Sequence, residues 1–272
     1  MISSAAEISL KDGRLDDALA QLQEQVRKNP NVAKHRVFLF QLLALNGQWD
    51  RALNQLTVCG NLDDANLAMV QTYREAIRCE LLREKIFKGE TSPLVFGEPE
   101  HWIALLIEAC KLSAQANHAQ AGELRDQAFE LAPTTSGSFN GTPFDWIADS
   151  DTRMGPVTEA IVNGRYYWIP FNRISKIEIE APTDLRDLVW LPAQFTWANG
   201  GSAFGLIPSR YPGSDQAEDS ALRLARKTEW HEPASGHYHG LGQRILITDA
   251  GEHPFFETRE LILNTSISDQ HG

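Results

Sequence analysis

Of 272 residues, 42% are hydrophobic and 22% charged, a composition that supports two modest cores and argues against extended disorder. The formal net charge of -11 opposes attraction to phosphate backbones and anionic lipid, which excludes nucleic acid as an expected partner. No stretch approaches the roughly 18 uninterrupted apolar residues that cross a bilayer, and residues 1–11 lack a basic region followed by an apolar run, so a cytoplasmic location without membrane insertion is expected.

The first half repeats itself. Gly13, Leu15, Asp16, Ala18, Leu19, Gln21 and Leu22 recur as Gly47, Trp49, Asp50, Ala52, Leu53, Gln55 and Leu56, an offset of 34 residues. That is the TPR period, in which each unit is a helix, a tight turn and a second helix. Gly13 and Gly47 can close the first helix by adopting positive φ, and Ala18 and Ala52 let two helices approach closely. The leucines and Trp49 supply an apolar stripe at helical spacing, and Asn29-Pro30 ends the second helix of the first unit. The three cysteines, Cys59, Cys79 and Cys110, lie in apolar or helical contexts and read as reduced core thiols.

Between residues 64 and 88 a long helix is expected, followed by a loop over 89–99. Together they replace one regular unit. A third unit then shows in Ala109, Ala121, Ala128 and Pro133. In such stacks the first helix of each pair lines the concave side. That register nominates Lys34, Val37, Gln41 and Leu45, with Ile103, Leu106 and Cys110, as contacts for an amphipathic helix or an extended peptide.

The polar run 134–138 breaks the pattern, and a boundary near residue 136 divides the chain into a helical repeat domain, 1–135, and a second domain, 136–272. Segments 166–170, 174–179, 188–191 and 245–247 read as short strands, separated by turns such as Asn163-Gly164 and Asn199-Gly200-Gly201. The expected fold class is α+β: TPR-like all-α hairpins, then a small mixed α/β domain with a mostly antiparallel sheet that caps the stack.

Several groups resemble raw material for catalysis. Asp149-Ser150-Asp151 could share one cation and so suggests a metal-dependent transferase or hydrolase. With Asp145 and Arg153 it could equally form a buried ion-pair network that fixes the turn before Gly155-Pro156. His231, His237, His239 and His253 gather with Glu232, but without zinc spacing, and read as a solvated loop. Ser202 is not in a nucleophile elbow, and Gly240-Leu241-Gly242-Gln243 lacks the third glycine of a dinucleotide turn. No catalytic residue, metal ligand or cofactor is therefore assigned. Trp146, Trp168, Trp190, Trp197 and Trp230 lie in apolar or strand-like runs and read as core.

Long runs of the second half resemble the ImpE/TagJ/SciE family. They include residues 145–151, Gly155-Pro156, 159–170, 181–190, 196–201, 205–208, 224–230 and 240–244. The resemblance implies a non-enzymatic accessory protein, or adaptor, of the bacterial type VI secretion system. Its implied partner is the N-terminal helix of the small contractile-sheath subunit, with the ATPase that recycles the sheath as a further candidate. It supplies no residue motif for the binding groove. A general TPR-type peptide-binding regulatory module is the alternative.

Overall fold

Gly13 and Gly47 adopt positive φ, +80° and +62°, and each closes the turn of a helical hairpin. The computed structural model describes residues 4–265. Its first half comprises α1 (Ala5–Lys11), α2 (Leu15–Lys28), α3 (Ala33–Leu45), α4 (Trp49–Leu62), α5 (Leu67–Phe87), α6 (His101–Ala114) and α7 (His118–Leu131). Helix α1 starts on a capping box in which Glu7 N–H donates to Ser4 Oγ and Ser4 N–H to Glu7 Oε2. The third hairpin, α6 with α7, turns at Ala116, which takes φ +61° where the first two units have glycine. Ala18, Ala52 and Ala121 follow these turns and are wholly buried. Enlarging one, as in Ala52→Leu, is expected to destabilise the chain by about 1–3 kcal/mol through overpacking. Chemical denaturation should show a lower midpoint, and an unchanged curve would mean that this helix contact tolerates bulk.

The remaining elements are β1 (Leu94–Val95), β2 (Gly137–Phe139), β3 (Thr142–Phe144), β4 (Ile147–Asp149), β5 (Val157–Val162), β6 (Arg165–Pro170), β7 (Ile174–Ile179) and β8 (Trp190–Trp197). After them come β9 (Ser202–Pro208), the short α8 (Ser220–Arg223), β10 (Thr228–Ala234), β11 (His237–Gly242), β12 (Ile245–Thr248), β13 (Gly251–Pro254) and β14 (Glu260–Leu263). Nine strands form one sheet in the order β1-β6-β5-β9-β8-β7-β14-β2-β3; a second sheet runs β13-β12-β4, and β10 pairs with β11. Pairing is antiparallel except between β1 and β6.

The sheet is larger than the strand segments read from sequence. The expected 89–99 loop contributes β1, which places Leu94 beside Tyr167 and Val95 beside Trp168. Residues 185–188, partly expected as strand, form a 3₁₀ turn capped by Asp184, so β8 begins only at Trp190. Strand β5 is buried at all six positions, the pattern of a strand covered on both faces.

Alternation along these strands separates two cores. Val157, Ile161, Tyr166, Trp168 and Trp190 face the helices, whereas Ala160, Val162, Ile169 and Leu191 face a core formed by the sheet, β4 and β12. The helix-facing core is supplied mainly by the helices of the first half, with residues such as Val157, Trp168 and Trp190 added from the second. The Trp190 ring lies 6.0 Å from Trp49 and 5.6 Å from Tyr73, and Phe87 lies 6.0 Å from Trp168. Polar ties reach the first hairpin as well: Arg223 pairs with Asp16 at 2.9 Å and Arg226 donates to the Leu10 carbonyl. Among the described residues, no helix is long and apolar enough to cross a membrane.

Candidate functional site

The acidic segment after β4 enters a buried network between helices and sheet. Strand β5 turns Glu159 toward α5, where Arg83 donates to it through Nε at 2.6 Å and Nη2 at 2.9 Å. Arg244, wholly buried after β11, donates to Asp149 with one Nη and to Glu159 with the other. Its Nε reaches the Pro208 carbonyl at 3.1 Å. Tyr166 donates its hydroxyl to Glu159 and accepts from Trp168 Nε1 at 2.9 Å. Tyr211 donates to Asp149 at 3.0 Å, and Trp190 Nε1 to Glu80 at 3.0 Å.

Burial works against the Glu159 carboxylate, but Arg83 and Arg244 outweigh it and hold the pKa down to about 2. Burial likewise pushes Asp151 upward, and Arg153 overcomes it, leaving that carboxyl below its usual range. Asp151 also accepts from Gly240 N–H at 2.8 Å, while Asp149 accepts from Asp151 N–H at 2.9 Å. The Asp149 and Asp151 oxygens thus face arginines and backbone donors rather than an open cation site. Asp145 stands outside this network, exposed, with its N–H donated to Asp249. Among the described residues, no group of three or more His, Cys, Asp or Glu side chains is placed to hold a metal ion.

The histidines differ from the solvated loop expected of them. Strands β10 and β11 form a hairpin turning at Gly236, φ +75°, with a register shift between His231 and Ala234. His237 is buried against Gly122 of α7, with Nε2 3.7 Å from Asp126. His239 faces Arg153 and Asp151, and burial drives its pKa down to about 3. His231 is exposed, and His253 stacks on Phe139 at 4.0 Å. Proline, serine and glycine around these residues conceal the alternation that signals a strand. All three cysteines are buried and unpaired by disulfide. Trp168, Trp190 and Trp197 are core, whereas Trp146 and Trp230 are each 39% exposed.

The residues nominated for the concave groove require correction. Leu45, Ile103 and Leu106 are wholly buried, and Cys110 nearly so. Gln41 is buried and donates to Asp184 from the second half of the chain. The Leu45 carbonyl accepts from Arg210 Nη1 at 2.9 Å. Val37 is half-buried against the core, and only Lys34 is exposed. Against α3 the chain's own 3₁₀ turn, Leu185–Leu188, and Arg210 are packed.

A different surface is open. On the helix-facing side of the sheet, β9 runs past the β5–β6 turn at Asn163-Gly164, and it pairs with β5 only at Ile161↔Leu206 and Val162↔Gly205. Phe204 projects there with 78% of its surface exposed, the largest fraction among the exposed large hydrophobic residues that the structure describes. It stands between two cavities. One, of about 840 Å³, lies against α5 and includes Met69, Tyr73, Ile161, Arg165, Arg186 and Leu206. The other, of about 420 Å³, includes Glu178, Glu180, Gln194, Arg259 and Glu260. Pro192, Ala193 and Phe204 line both, so the two cavities adjoin at these residues. Nothing in the periodicity of the first half marks this surface; its one visible signal was a phenylalanine beside Gly205 in the strand that follows the Gly200-Gly201 turn.

The family model described as ImpE protein matches residues 141–262, a stretch that contains Asp149, Glu159, Phe204 and Arg244. The type VI secretion system accessory component TagJ of Pseudomonas aeruginosa is 52% identical over 260 residues, covering 96% of this chain and 91% of that protein. The crystal structure of protein VPA1032 from Vibrio parahaemolyticus has a TM-score of 0.89 at 26% identity, covering 97% of this chain and 99% of that one.

Proposed function

The chain belongs to the ImpE family, and from that premise we propose that it is a non-catalytic accessory component of a type VI secretion system, acting in the cytoplasm. In this reading it is an adaptor that binds the N-terminal helix of the small contractile-sheath subunit, and the sheath-recycling ATPase is a second candidate partner. The observation that carries the binding role is the state of the acidic motif. Asp149 and Asp151 are engaged by Arg244 and Arg153 within the second half, and Glu159 by Arg83 across the two halves, an arrangement that ties up the carboxylates rather than presenting them to a substrate. This favours an adaptor over the transferase or hydrolase suggested by the Asp149-Asp151 spacing. A general TPR-type module would use the concave side, which the second half occupies here.

The test uses the whole chain, because both halves contribute to one core. A synthetic peptide of the sheath subunit's N-terminal helix, titrated by calorimetry, is expected to bind and to gain helical circular dichroism. Absence of binding by the peptide and by the intact small subunit would sink the proposal.

A further inference from the structure

We infer that the β10–β11 hairpin is a proton-sensitive clasp: His237 and His239 hold it against α7 only while their imidazoles are neutral, and protonation beside Arg125 and Arg153 releases it.

Two faces meet in this contact. His237 and His239 stand two residues apart on β11 and so share one side of it, while Tyr238 between them is exposed. On α7, His118, Gly122 and Arg125 follow one another at spacings of four and three residues and share one side of the helix. The faces come closest at Gly122, where a Cβ would lie 2.8 Å from His237 Nε2; the missing side chain is what lets the ring approach. The rest of the hairpin's attachment is to the segment after β4. Tyr238 N–H donates to Thr152 Oγ1 at 3.0 Å, the Tyr238 carbonyl accepts from Thr152 N–H at 2.9 Å, and Gly240 N–H donates to Asp151 at 2.8 Å.

A protonated imidazole has two N–H groups to satisfy, and this contact offers neither ring two acceptors. His237 Nδ1 and His239 Nε2 have no hydrogen-bond partner among the described residues. The charges that face the rings are mostly of the wrong sign. From α7 come His118, Asp126 and the buried Arg125, which donates to Ser113 Oγ at 2.8 Å and has no ion pair among the described residues. Asp126 lies 3.7 Å from His237 Nε2, but its side chain is 68% exposed and water screens it. From the segment after β4 come Arg153 and Asp151, whose carboxylate already accepts from the Arg153 side chain and from Gly240. Strand β10 adds only the exposed His231, opposite His239. Burial, followed by Arg153, accordingly drives the His239 pKa down to about 3; burial, followed by Arg125, lowers that of His237 in spite of Asp126.

Once the hairpin lifts, both imidazoles return to about 6.5. The docked values lie below that, so docking is at full strength above it and weakens as pH falls through it. For His239 alone, opening becomes roughly 25-fold more favourable between pH 7 and pH 5, and His237 adds to this. The Glu159 ion pairs persist over the same range, because that carboxylate is held down to about 2, so release of the hairpin precedes loss of the fold.

The test follows the full chain from pH 7 to pH 5 by NMR of labelled histidine, with His237→Gln and His239→Gln assigning the two signals, and by hydrogen exchange corrected for its intrinsic pH dependence. Protection of residues 229–239 is expected to fall at least about 25-fold, while that of β5 and β6 stays within about twofold. The double variant His237→Gln/His239→Gln keeps two neutral polar side chains and should abolish the fall, whereas His231→Gln should leave it. Uptake of a proton by His237 and His239 near pH 6.5 in the wild-type chain, with the hairpin still protected, would overturn the proposal. So would a fall of the same size in the double variant, or one shared equally by β5 and β6, which would be unfolding of the whole chain.

Discussion

Replacing Glu159 by glutamine is expected to lower stability at neutral pH by about 3–5 kcal/mol, the cost of breaking a buried ion pair from one side. Glutamine keeps the shape of the side chain, so no cavity contributes. What disappears is the negative charge between two buried guanidiniums, Arg83 and Arg244, neither of which can lose its proton in compensation. The pH dependence identifies the cause. The folded pKa of Glu159, about 2, lies below the unfolded value of about 4.3. Its contribution is therefore complete above the unfolded value and is lost as pH falls toward 2. Urea denaturation should show a large gap between wild type and variant at pH 7 that narrows from pH 4 downward. A small gap at pH 7, or one indifferent to pH, would mean that the arginines find other counter-charges.

Trp190→Ala is expected to cost a further about 3–5 kcal/mol, and to loosen both halves of the chain together. The ring fills the space between α4, α5 and the sheet, and its Nε1 is a donor to the buried Glu80. Truncation leaves a cavity and an acceptor short of one bond, two penalties that add. Because Trp190 touches helices that lie more than 100 residues earlier, the helical signal at 222 nm and the fluorescence of the remaining tryptophans should move to lower denaturant in step. Helices that kept the wild-type midpoint while the sheet signal shifted would show that the array is stable without its partner.

Locally repeated features were readable because they recur at fixed spacing. The 34-residue offset located the glycine turns and the small residues of two hairpins, and Ala109, Ala121 and Ala128 marked the third, even though Ala116 replaces glycine at its turn. Strands β6, β7 and β12 were legible from short β-branched and aromatic runs. Strand β5 was not, since burial on both faces removes the alternation that distinguishes a strand.

The sequence alone therefore determined the repeats, the change from helix to strand after Pro133 and, through long second-half runs, the resemblance to a family. It also offered Asp145, Asp149, Asp151 and Arg153 as an ion-pair network, as an alternative to a cation site; Asp145 stands outside the network that forms, and Arg83, Glu159 and Arg244, which reach it from elsewhere in the chain, were not named. Only the tertiary structure decided which surface is free. Leu45 and Phe204 are both large apolar residues, and neither spacing nor propensity distinguishes the buried one from the exposed one. Exposure depends on what packs alongside: Leu45 lies inside the helix-facing core, and its carbonyl is met by Arg210, 165 residues further along the chain.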